Sequence, residues 1–76
     1  MAEAYMRYSR LTGKKYNVFD CARIYNLGQS IAYMRNGVLP VDIKIGENRE
    51  GVPILVFYFI KEETEIVYDL WLKHEL

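Results

Sequence analysis

From Val52 to Ile60 the chain reads Val-Pro-Ile-Leu-Val-Phe-Tyr-Phe-Ile, its longest uninterrupted apolar run. A helix needs about 20 apolar residues to cross a bilayer, so this run is too short, and its β-branched and aromatic content favours a buried strand. Alternation places Ile54, Val56, Tyr58 and Ile60 on one face and Leu55, Phe57 and Phe59 on the other, so both faces need cover. Pro53 stands near the start, where a missing N–H costs least. Upstream, Val41, Ile43 and Ile45 alternate with Asp42 and Lys44, the pattern of a strand with one buried and one wet face. The polar stretch Gly46-Glu47-Asn48-Arg49-Glu50-Gly51 links the two, predicting an antiparallel hairpin over about 41–45 and 53–60.

Helical periods flank this hairpin. Ile24, Leu27, Ile31 and Met34 form one stripe, ended by Asn36-Gly37 and Pro40. Either Asp20 or Asn26 can cap its start, the latter with Gln29 at capping-box spacing, so the predicted span is 27–36. After Ile60, the carboxylates Glu62, Glu63 and Glu65 precede a stripe of Ile66, Val67, Leu70 and Trp71. Lys73 and His74 follow, which suits the dipole of a helix over about 63–74. In the N-terminal part, Tyr5, Tyr8 and Leu11 recur at helical spacing before Thr12-Gly13, predicting a short helix or a flexible arm within residues 1–15. Tyr16-Asn17-Val18-Phe19 fits a short edge strand.

These elements describe one α+β domain over 1–76, a small antiparallel sheet packed against helices. A lone hairpin is marginal in water, so Tyr16–Phe19 or a second copy of the chain is expected to extend the sheet. With 51% hydrophobic residues and 7 Tyr in 76 residues, there is more apolar surface than so small a core hides. A homodimer or a dedicated protein partner is therefore expected. A single cysteine excludes an intrachain disulfide, and no leader precedes the first motif, which points to the cytoplasm. Net charge is zero overall but divided: residues 1–37 hold six cations against two carboxylates, +4, and residues 38–76 hold four against eight, −4.

Catalytic chemistry finds little support in this sequence. Cys21 and His74 would need mutual contact and an orienting third group to act as a nucleophilic pair, and as single residues they make a poor zinc site. Glu62, Glu63 and Glu65 fan out from one helical turn instead of converging on a metal. The glycines of the 46–51 loop flank carboxylates, which would repel a phosphate. No catalytic residue, metal or cofactor is expected. Tyrosine is a contact residue of choice, so Tyr5, Tyr8, Tyr25, Tyr33 and Tyr68 are the candidate protein-contact set. The alternative is nucleic-acid binding through Arg7, Arg10, Lys14, Lys15, Tyr16 and Arg23, where rings would stack on bases and cations meet phosphates.

The strings Ile24-Tyr25-Asn26-x-x-Gln29, Tyr33-Met34-Arg35-Asn36-Gly37-Val38, Pro40-Val41-Asp42-Ile43 and Phe57-x-Phe59-x-Lys61-Glu62-x-Thr64, with Leu70-Trp71, lie within residues 24–72. Together they resemble small uncharacterised proteins encoded by phages and mobile elements of Gram-positive bacteria. The resemblance rests on packing and turn residues, so it implies a setting and carries over no functional residue. Proteins of that setting often bind and block a host protein, including defence components in the anti-CRISPR manner.

Overall fold

The structure is a computed structural model and describes residues 5–76. In chain order it contains β1 (Met6–Tyr8), β2 (Lys15–Asn17), a 3-10 turn (Val18–Asp20), β3 (Cys21–Ile24), α1 (Leu27–Arg35), β4 (Asp42–Glu47), β5 (Pro53–Ile60) and α2 (Lys61–Leu72). β1 and β2 form a separate antiparallel hairpin, while the main sheet has the order β3-β5-β4. The apolar run is thus the central strand. Both neighbours pair with it in antiparallel fashion, Cys21 opposite Ile60 on one side and Asp42 opposite Tyr58 on the other. β3 and β4 consequently run parallel to each other, joined over one face by α1, as a split β-α-β unit with β5 inserted between its strands.

α1 is capped by Asn26, whose Oδ1 accepts from the Gln29 N–H at 3.0 Å. Gln29 does not return the bond as in a full capping box; its Nε2 donates to the Tyr33 hydroxyl at 2.9 Å. The Asn36-Gly37 stop forms as the sequence predicts: Gly37 has φ +86°, and the Val38 N–H reaches back to the Tyr33 carbonyl at 3.1 Å. α2 leaves β5 directly at Lys61 without a side-chain cap, so Glu62 and Glu63 stabilise its N-terminus through charge alone.

One face of the sheet meets both helices. Phe57 and Phe59 project into a core with Tyr33 and Val67, flanked by Ile24, Met34, Val38, Ile43 and Trp71. Phe59 is 0% exposed and meets the Tyr33 ring edge-on at 5.3 Å. The other face, carrying Val56 and Tyr58, is covered by the N-terminal hairpin, where Tyr16 lies 6.0 Å from Tyr58. The sequence requirement that both faces of the apolar run be covered is met by two different devices.

Several expectations are corrected here. The described residues of the N-terminal segment form a β-hairpin, not a helix or a loose arm; residues 1–4 lie outside the described residues. Thr12-Gly13 belongs to its turn, closed by Gly13 N–H to Ser9 O at 2.9 Å. The third strand of the main sheet is Cys21–Ile24, not Tyr16–Phe19, because Asn26 and not Asp20 begins α1. Both predicted stripes are met only in part: Met34 of the first and Val67 and Trp71 of the second reach the core, while other members face water. α1 buries Ser30 and Tyr33 while Leu27 and Ile31 are exposed, and α2 buries Thr64 and Val67 while Ile66 is 76% exposed. Thr64 tolerates burial because its hydroxyl donates to the Lys61 carbonyl at 2.8 Å.

Candidate functional site

A buried carboxylate organises the surface. Asp42 was expected on a wet face, yet it is only 4% exposed. Its Oδ2 accepts from the Tyr16 hydroxyl at 2.5 Å, and its Oδ1 accepts from the Ser9 hydroxyl at 3.1 Å and the Ile43 N–H at 3.0 Å. Ser9 Oγ in turn accepts from the Leu11 and Thr12 N–H groups, so the hairpin turn is tied to β4 through one node. Fully partnered, a buried carboxylate of this kind holds two elements in one arrangement.

That node has a pH signature. Burial first, and then the hydrogen bond to Asp42, push the Tyr16 phenol well above its ordinary range. The unfolded chain ionises its tyrosines near pH ~10, whereas folded Tyr16 keeps its proton. Its contribution is therefore fully present below pH ~10 and declines as pH rises above it, by about 1.4 kcal/mol per pH unit. Alkaline denaturation of wild type and Tyr16→Phe checks this: the variant should lose less stability between neutral and alkaline pH.

Two clefts flank the sheet. Arg7, Val18, Phe19, Cys21, Arg23 and Lys61 line one of about 350 Å³, beside the C-terminal end of β5 on the hairpin side. Lys61 Nζ donates to the Phe19 carbonyl at 3.1 Å, which fixes the ammonium at its rim. The Phe19 ring is exposed and meets Tyr5 edge-on at 4.8 Å. The second cleft, about 230 Å³, is lined by Tyr25, Leu27, Ile54, Leu55 and Phe57 at the other end of β5. It exists because β3 pairs with β5 only as far as Phe57, then turns away into α1. Asn48 N–H donates to Val52 O in the ladder with β4, so by alternation Pro53 and Leu55 turn their main-chain groups to the side that β3 has left. Leu55 is exposed, and Ile45, opposite it on β4, is 79% exposed.

The candidate tyrosines divide. Tyr33 is corrected: at 1% exposed it is a core ring and not a contact residue. Tyr5, Tyr8, Tyr25 and Tyr68 are exposed, but they do not form one surface; Tyr8 lines a shallow cleft with Met6, Arg7 and Lys15, whereas Tyr25 lines the apolar one. Among the candidates for nucleic acid, Tyr16 is corrected as well, since its ring is buried under the hairpin and cannot stack on a base. Arg7 and Arg23 share the cationic cleft, Lys14 and Lys15 line a different one with Leu39, Pro40 and Val41, and Arg10 is exposed in the hairpin turn. Leu27, Ile45, Leu55, Phe19 and Lys61 were not singled out as site residues. Leu27 and Ile45 carry the pattern of buried positions and Leu55 lies within the apolar run, so nothing in the sequence marked these three as surface residues, and nothing signalled the other two.

Cys21 is buried, and burial above all, followed by the Asp20 charge, raises its pKa and keeps the thiol protonated. α2 begins beside it and runs for 12 residues, about 18 Å, before His74, too far for a nucleophilic pair. His74 has φ +58° and donates its N–H to the Trp71 carbonyl at 3.1 Å, closing the helix end. Among the described residues no three His, Cys, Asp or Glu side chains converge as a metal site. No helix among them is long and apolar enough to cross a membrane. Comparison of the chain with protein-family models, with curated proteins and with solved structures finds no match.

Proposed function

We propose that the protein is a non-catalytic binding module that engages a partner protein through the apolar cleft at the open end of β5. The observation that carries this reading is the exposure of Tyr25, Leu27, Ile45 and Leu55 beside a strand edge that, among the described residues, has no paired neighbour beyond Phe57. Exposed apolar side chains clustered at one end of a sheet mark contact surfaces, and an open edge adds main-chain groups that an extended segment can pair with. The setting implied by the resemblance, inhibition of a host protein by occupying one of its surfaces, is consistent with a module that binds without transforming its target. A cytoplasmic location belongs to the same reading.

Leu55→Asp tests it. The residue is exposed, so melting should stay close to wild type, while a charge in the centre of the contact should cost at least about 2 kcal/mol, roughly thirtyfold in Kd. Wild type immobilised on beads should retain a bacterial host protein through nuclease treatment and moderate salt, and the folded variant should not. Equal retention would refute the assignment of the cleft. Light scattering separates the homodimer from a foreign partner: a concentration-independent dimer that Leu55→Asp converts to monomer would assign the cleft to a second copy.

A further inference from the structure

We infer that the cleft between β2 and the segment entering β4 holds a fatty-acid-like ligand, a carboxylate on an unbranched alkyl tail. The cleft has a volume of about 350 Å³, within the range of small-molecule sites, and it is separate from the one at the open end of β5. Its apolar lining is mostly aliphatic: Leu39, Pro40 and Val41 from the segment before β4, and Ile60 from the end of β5. Leu39 is 65% exposed, so an apolar side chain stands at the mouth in water. Pro40 has no N–H, which keeps that wall dry. The opposite wall is Tyr16, whose hydroxyl is already engaged by Asp42. Both walls are fastened before a ligand arrives: Thr12 Oγ1 donates to the Val41 carbonyl at 3.3 Å, and the Val41 N–H donates to the Tyr58 carbonyl at 2.8 Å.

Lys14 selects the head group. It precedes the buried Tyr16 by two residues and stands across the hairpin from the buried Ser9, whose N–H donates to the Lys14 carbonyl at 2.9 Å. By alternation its side chain therefore leaves on the cleft side, whereas Lys15 lies across from the exposed Tyr8 and leaves on the other. Among the described residues Lys14 has no ion-pair partner. Asp42, next in the chain to Val41, does not line the cleft; its oxygens already accept from Ser9, Tyr16 and the Ile43 N–H. The Thr12 hydroxyl is committed too, donating to Val41 and accepting from the Lys14 N–H at 3.4 Å. What faces a ligand is one ammonium beside an aliphatic lining. A bare anion would leave that lining unused, and a neutral hydrocarbon would leave the ammonium unused.

NMR titration of isotope-labelled protein with octanoate, kept below its micelle concentration, is the test. Saturable shifts are expected over residues 14–16, 39–41 and 60, and decanoate should bind tighter by about fourfold for each added methylene that enters the cleft. Octan-1-ol should bind about fivefold more weakly than octanoate, and Lys14→Gln should erase that difference while leaving the alcohol's affinity unchanged. Leu39→Asp should abolish octanoate binding, and Leu55→Asp, in the other apolar cleft, should not alter it. Both Lys14 and Leu39 are exposed, and Lys14 holds the turn through main-chain groups only, so melting of these variants should match wild type. Three results would each overturn the inference: shifts that map to Tyr25 and Leu55 or spread without saturating, equal binding of octan-1-ol and octanoate, or a Lys14→Gln variant that keeps the preference for the carboxylate.

Discussion

Replacing Phe59 by Ala is expected to unfold the protein. The side chain is fully buried against Tyr33 and Phe57, and truncation of such a ring costs about 3–5 kcal/mol once the cavity is included. Domains of this size are stable by only about 5–15 kcal/mol, with small ones at the lower end. Thermal melting followed by circular dichroism should show the transition lost or moved far down. Trp71→Ala should be milder, since the indole is only partly buried at the edge of the same cluster. Ile66→Ala should change stability by no more than about 0.5 kcal/mol, because that side chain faces water. A large loss at Ile66 with little at Phe59 would show that α2 turns its Ile66 side, and not its Thr64 side, toward the sheet.

Removing the Asp42 carboxylate should release the N-terminal hairpin. Asp42→Ala leaves the Tyr16 and Ser9 hydroxyls and the Ile43 N–H without their acceptor in a region closed to solvent. Bonds to a charged acceptor contribute about 1.5–3 kcal/mol, and buried donors left unpaired add to the loss, so about 3 kcal/mol is expected. Asp42→Asn, with similar shape and one acceptor oxygen, should cost less. A double-mutant cycle with Tyr16→Phe should show a coupling of about 1–3 kcal/mol, and additivity would deny the node. Amide exchange gives the spatial reading: protection should fall first over residues 6–17, while β5 keeps its own.

Much of the fold is legible from pattern. β5, both helices and the loop between β4 and β5 follow from the apolar run, the Asn36-Gly37 stop and the change of period after Ile60. Asn26 is readable as a cap because its side chain and Gln29 are local to each other. Legibility ends where an element is short and its partner distant. Cys21–Ile24 carries a helical period into α1 as readily as a strand, and only pairing with residues 57–60 decides it. Tyr5, Tyr8 and Leu11 match a helix by coincidence of spacing, while Ser9 and Tyr16 form a hairpin because Asp42 lies in reach of both. The candidate sites were less legible still. Tyr33 and Tyr16 carry the composition of contact residues but are buried as core rings, and Lys61 enters a cationic cleft with residues nearly forty and more than fifty positions away.

What the sequence determined by itself is the central strand, the need to cover both its faces, and the stops that bound the helices, because each depends on neighbours within a few residues. Which members of each helical stripe turn inward, that a carboxylate becomes the buried tie between hairpin and sheet, and which charged and apolar side chains share a cleft were decided by tertiary structure alone. Those features depend on free energies of burial and pairing between residues that meet only after the chain has folded.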